Sequence, residues 1–169
     1  MEVLGVAWVR RCEMADQLKV FVSRELREMS GDNEIARETV RSMGFDPRGF
    51  EDVPASPQRV EDGYLEEVRG ADVVIFLVGR TLAEGVAKEY REAERLGKPR
   101  LVFVKDVGED QPRRKACRDF LRQVETPLSG VTVKHYGSLD ELRNEIRKAL
   151  ALFVTWTIRQ VLPAWSSHG

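Results

Sequence analysis

Two apolar runs, VVIFLV at residues 73–78 and LVFV at 101–104, constrain this chain more than any other feature. Neither alternates with polar residues, so each reads as a strand covered on both faces. Between them, AEGVAKEYREAERLGKP carries the spacing of an amphipathic helix. Strand, helix and strand in that order make a parallel crossover, which is right-handed in nearly all proteins. Ligands of parallel sheets bind outside the carboxyl ends of the strands. Here those ends are Gly79-Arg80-Thr81 and Lys105-Asp106, with the opening of the helix and Glu89 beside them.

The rest of the chain fits one α/β domain. Residues 18–22 (LKVFV) form a first buried strand closing on Ser23-Arg24. Ile35, Thr39, Val40 and Met43 recur at helical spacing, and Gly44 is a natural stop. Gly31-Asp32-Asn33 interrupts the preceding stretch, so that helix can begin there. A short second strand falls within 45–50, then Glu51-Asp52 and a proline-containing loop. Residues 60–68 form a helix with Tyr64, Leu65 and Val68 on one side, ended by Gly70. Residues 113–124 form another, with Ala116, Cys117, Phe120, Leu121 and Val124 inward. Residues 131–136 are a fifth strand. Ser138 and Glu141 have capping-box spacing at the start of a last helix. Five alternations of strand and helix predict a flavodoxin-like three-layer α/β sandwich, with a five-stranded parallel sheet in the order 2-1-3-4-5. Residues 1–17 are an N-terminal arm or an edge strand, 18–150 the α/β domain, and 151–169 the end of the last helix and a tail.

Composition narrows the function. In a chain of 169 residues, 27 Lys+Arg nearly balance 28 Asp+Glu, which gives no electrostatic footprint for nucleic acid. Cys12 and Cys117 match no metal spacing and, without a secretory context, read as reduced thiols. His135 and His168 are the only two histidines, too few for a zinc site or a Ser/His/Asp triad, and no metal is expected. Neither a dinucleotide fingerprint nor a P-loop follows any strand, and no cofactor is expected. The apolar start of the chain precedes Arg10-Arg11, the reverse of a signal peptide, and residues 149–158 reach only about half the length of a membrane span. The expectation is a cytoplasmic protein with no membrane partner.

Glu89 has two readings. It is either a surface carboxylate favoured by a helix N-terminus, or a carboxylate at the lip of a cleft, able to attack or stabilise an oxocarbenium-like sugar. Ser23 and Arg24 close strand one at the same lip and can grip ribose or phosphate, or serve as ordinary loop polarity. Glu51 and Asp52 can hold ribose hydroxyls or solvate a loop. Gly79 and Arg80 belong to the ligand edge by position, whereas Asp72 opens its strand at the other end and reads as structural. His135 reads as a packed strand histidine. In the last helix, Leu142, Ile146, Leu150, Phe153 and Val161 can cover the sheet. Leu152 and Trp156 then need a second partner, either a copy of the chain or the N-terminal arm.

The stretches LKVFVSRELREM, MGFDPRGFEDVPASPQRVEDGYLEEVRGADVVIFLVG and KEYREAERLGKPRLVFVKD, in that order, resemble the TIR-like domain of unknown function 4062 over roughly residues 18–150. At one remove the chain is similar to nucleoside 2-deoxyribosyltransferases and TIR domains. Their nucleophilic or NAD-cleaving glutamate follows the third strand, and Gly85-Val86-Ala87-Lys88-Glu89 with Gly97-Lys98-Pro99 occupies the matching stretch here. The resemblance implies a nucleotide or nucleoside N-glycosidase or deoxyribosyltransferase-like protein, NAD among the candidate substrates, with Glu89 as its catalytic residue and Ser23, Arg24, Asp52, Gly79 and Arg80 as its binding residues. Val86 stands where the transferase motif has threonine, and Arg24 where a second serine is usual. The alternative is therefore a non-catalytic TIR-like signalling or oligomerisation module, assembled through the last helix.

Overall fold

A computed structural model describes residues 17–53, 55, 60–126 and 129–162. The expectation for the N-terminal arm lies outside these residues. Five strands, β1 (Lys19–Arg24), β2 (Asp46–Arg48), β3 (Val73–Val78), β4 (Arg100–Lys105) and β5 (Thr132–Tyr136), form one parallel sheet in the order β2-β1-β3-β4-β5. Between and after them run α1 (Ser30–Ser42), α2 (Val60–Gly70), α3 (Glu84–Arg95), α4 (Lys115–Val124) and α5 (Leu139–Val161). This is the flavodoxin-like order read from the sequence.

The central strand β3 is buried at every position. Because successive side chains of a strand point to opposite faces, Val73, Ile75 and Leu77 join one core while Val74, Phe76 and Val78 join the other. Helices α1 and α5 close the first core through Ala36, Val40, Leu142 and Ile146. Helices α2, α3 and α4 close the second through Val68, Tyr90, Ala93 and Phe120. The same alternation in β1 sends Phe21 to the α3 side, and Ser23, two positions on, with it.

Local signals hold the ends in place. Gly44 (φ +83°) and Gly97 (φ +64°) stop α1 and α3 in a left-handed conformation that glycine adopts without steric cost. Asp72 fastens β3 to the start of β1 by accepting the Lys19 N–H at 2.8 Å. Ser138 accepts the Glu141 N–H at 3.2 Å, and Glu141 reaches back to the Gly137 N–H at 2.6 Å, one residue before the partner a capping box would use.

Three sequence expectations change. Ala116 is exposed, because α4 begins at Lys115 and its buried side starts with Cys117. His135 is exposed rather than packed: β5 is the sheet edge, and the ring meets Glu125 at 3.0 Å. Val161 is 74% exposed rather than on the sheet. At 23 residues, α5 is about 34 Å long, roughly twice a strand of the sheet, and its distal half runs past the core.

Candidate active site

Glu89 lies one turn into α3, on the side that carries Val86, Tyr90 and Ala93 into the core, and is only 8% exposed. Its carboxylate accepts a hydrogen bond from the Ser23 hydroxyl, itself buried at the carboxyl end of β1. Burial pushes the Glu89 pKa up from 4.5 to about 7, with the Ser23 hydrogen bond pulling the other way. The carboxyl is therefore poised between its charged and neutral forms near neutral pH. Among the described residues it is paired with no cation.

The carboxyl opens on a cleft of about 90 Å³ lined by Ser23, Arg24, Phe50, Tyr64, Gly85 and Val86, among others. Phe50 and Tyr64 face each other with centroids 5.1 Å apart and form an aromatic wall. Burial raises the Tyr64 pKa, and the negative charge of Glu89 adds to it. Neither aromatic was singled out as a site residue by the sequence. Tyr64 was legible only as the inward side of a helix, and Phe50 only as a strand end.

Arg24 forms the polar side of the cleft. Its Nη2 lies 2.5 Å from Glu51 Oε1, and its Nη1 donates to the Leu26 carbonyl at 3.2 Å. Glu51 also accepts from Asn33 Nδ2 at 3.2 Å and faces Arg37 at 3.6 Å. Burial alone would raise the Glu51 pKa, but its own backbone N–H and Arg24 outweigh it and hold it below the ordinary value. Asp52 does not line this cleft, because both of its oxygens are taken by Arg37, at 2.8 and 3.3 Å.

Gly79 is a packing position. Its carbonyl accepts from Arg113 Nη1 at 2.6 Å, and a Cβ there would come within 2.8 Å of the Glu28 carboxyl and 2.7 Å of Met29 Sδ. Arg80 lines a second, more open cleft of about 680 Å³, with Glu25, Arg27, Glu28, Thr81, Leu82, Ala83 and Gln111. Ala83 belongs to both clefts. Glu28 spans the loops after β1 and β3, accepting from the Arg80 N–H at 2.5 Å, the Thr81 N–H at 2.9 Å and the Thr81 hydroxyl at 2.7 Å. Burial, which would raise the Glu28 pKa, is outweighed by these hydrogen bonds, and the carboxylate stays below its ordinary value.

Lys105, the other residue at the ligand edge, turns to the opposite face. Its Nζ lies 3.0 Å from Asp32 Oδ2, and the Tyr136 hydroxyl donates to Asp32 Oδ1 at 2.6 Å. Among the described residues there is no group of three His, Cys, Asp or Glu suited to a metal ion. No helix among them is long and apolar enough to cross a membrane.

The sequence profile of a domain of unknown function (DUF4062) matches residues 19–151, most of the chain. The chain belongs to this family. The DUF4062 fold is similar to that of the Clostridium botulinum CMP N-glycosidase BcmB, with a TM-score of 0.57 and 16% identity over 78% of this chain and 98% of that one. It is similar also to the TIR domains of the activated Roq1 resistosome, with a TM-score of 0.61 and 10% identity over 79% of this chain and 99% of that one. At these identities the likeness is one of fold. No curated protein sequence matches the chain significantly.

Proposed function

We propose that this DUF4062 chain cleaves the N-glycosidic bond of a nucleoside or nucleotide, NAD among the candidates, with Glu89 as the reacting carboxylate. The observation that carries the reading is a buried glutamate, held by a serine hydroxyl in an aromatic-walled cleft at the carboxyl edge of the sheet. A fold shared with a CMP N-glycosidase supports it.

In this reaction the bond from the anomeric carbon to the base nitrogen breaks, and its electron pair leaves with the base. A Glu89 oxygen either bonds to the anomeric carbon or stabilises its positive charge. Water then supplies hydroxide to that carbon, which returns Glu89 to its starting form; its remaining proton goes to a base that departs as an anion, or to solvent where the base departs neutral, as nicotinamide does from NAD. Ser23 holds the carboxylate in position, the Phe50–Tyr64 wall takes a flat apolar face of the ligand, and Arg24 serves ribose or phosphate oxygens. At about 90 Å³ the Glu89 cleft is too small to enclose a nucleotide, so most of such a ligand extends beyond it.

The test is incubation of the protein with NAD and a panel of nucleosides and nucleotides, with chromatography for free base. Release that disappears in Glu89→Gln supports the reading. Absence of release from every compound by the folded protein rejects it.

A second reading rests on a separate observation. Leu152 (69% exposed) and Trp156 (59% exposed) sit on the distal part of α5, beside a groove of about 580 Å³ that Trp156, Phe153 and Leu101 help to line. Leu152 and Trp156 themselves line this groove between α5 and the start of β4, so the same patch on a second copy can cover them reciprocally in a two-fold contact. In this reading the chain is a homo-oligomeric module. Light scattering checks it: a dimer that Trp156→Glu converts to monomer supports the contact, and a monomeric parent protein rejects it.

A further inference from the structure

The second cleft lies against the Glu89 cleft and differs from it in chemistry. Where the Glu89 cleft has an aromatic wall and a poised carboxyl, the second presents Arg27, Arg80, Thr81 and Gln111. Arg27 is exposed and Arg80 half-buried, and among the described residues neither guanidinium forms a hydrogen bond or ion pair of its own. The Arg80 charge does lie near enough to Glu28 to help keep it ionised. The cleft also has two carboxylates, of which Glu28 has both oxygens and Glu25 one, Oε2, engaged by the chain's own loops. Glu28 accepts the Arg80 and Thr81 N–H groups, and Glu25 accepts the N–H groups of Arg27 at 2.8 Å and Glu28 at 2.9 Å. The open donor capacity of this cleft therefore lies chiefly with two planar guanidiniums suited to a phosphate, with one Glu25 oxygen as an acceptor at its side.

We propose that the Arg27–Arg80 cleft, joined to the Glu89 cleft at Ala83, is the phosphate subsite for the same ligand, so that the protein takes a phosphorylated nucleotide in preference to a free nucleoside. The inference rests on the glycosidase reading and names its substrate class. With the sugar beside Glu89, a phosphate group leaves the small cleft past Ala83 and meets Arg80 on the loop after β3 and Arg27 on the loop after β1. These loops are tied to each other by Glu28, so the two guanidiniums are carried on one connected support.

Binding, rather than turnover, tests it. Calorimetric titration of Glu89→Gln with cytidine and CMP, and with adenosine and AMP, measures the preference for the phosphorylated form; inorganic phosphate serves as competitor. The expected preference is about tenfold or more, the scale of charge-assisted hydrogen bonds at a partly exposed site. It should shrink as salt is raised. Arg27→Ala and Arg80→Ala, both at sites accessible to solvent, should each reduce it. Equal binding of nucleoside and nucleotide, or a preference that both arginine variants retain in full, overturns the subsite and leaves the glycosidase reading standing. Failure of every nucleoside and nucleotide to bind overturns both.

Discussion

The Ser23 hydroxyl, at the end of β1, donates to Oε2 of Glu89 on α3, 66 positions later in the chain. That one contact couples the carboxyl end of an interior strand to the carboxylate of the cleft and stabilises the charged form of a group that burial otherwise drives toward neutrality.

Activity of a Glu89-dependent reaction should follow ionisation of that carboxyl and rise with pH through about 7. Ser23→Ala removes the hydrogen bond that favours the charge, so the ascending limb should move to higher pH. A pH–rate profile of the two proteins checks this, and coincident limbs would exclude the Ser23–Glu89 coupling.

Stability carries the same signature. A carboxyl whose pKa rises from 4.5 to about 7 on folding holds its proton more tightly in the folded chain. Its contribution is therefore favourable below pH 4.5 and is lost as pH rises through 7, at a cost on the order of 3 kcal/mol once it is fully ionised. Glu89→Gln is uncharged throughout, so its Tm should exceed that of the parent at pH 8 and approach it at pH 5. Thermal unfolding at the two pH values measures the difference.

Asp32 is buried against Tyr136 and Lys105, on the sheet face away from the Glu89 cleft. Tyr136→Phe deletes the hydroxyl that donates to Asp32 Oδ1 and should destabilise by about 1–3 kcal/mol, read from urea unfolding. Because neither residue lines the cleft, ligand affinity should change little.

Gly79→Ala places a methyl group within 2.7 Å of Met29 Sδ and 2.8 Å of the Glu28 carboxyl. Overpacking of this kind should cost about 1–3 kcal/mol in unfolding free energy. It should also disturb the Glu28 bridge to Arg80 and Thr81, visible as shifted amide resonances of those two residues.

Much of the fold is legible because local patterns coincide with tertiary roles. The runs at 73–78 and 101–104 are apolar on both faces because helices cover both, and the glycines at 44 and 97 mark helix ends that need a left-handed residue. The position of Glu89 was legible from topology, since a glutamate after β3 in a parallel sheet falls at the ligand edge. Its burial was not, because nothing in its neighbours along the chain reveals which side of α3 meets Ser23. Phe50 and Tyr64 were missed as site residues for the same reason: they meet only when the turn after β2 is laid against α2.

The elements themselves, their buried faces and the glycine stops of α1 and α3 follow from periodicity and turn chemistry, which act over a few residues, and the sequence by itself determined them; the strand order was legible from the alternation of strand and helix. Which polar groups meet was decided by the tertiary structure. Packing directed Asp52 to Arg37, Lys105 to Asp32 and Ser23 to Glu89, each a pairing of residues distant in the chain. The length of α5 relative to the sheet decided that Val161 faces outward. The pKa of Glu89 near 7 is likewise a property of its surroundings, since desolvation depends on what encloses a carboxyl rather than on the residues beside it in sequence.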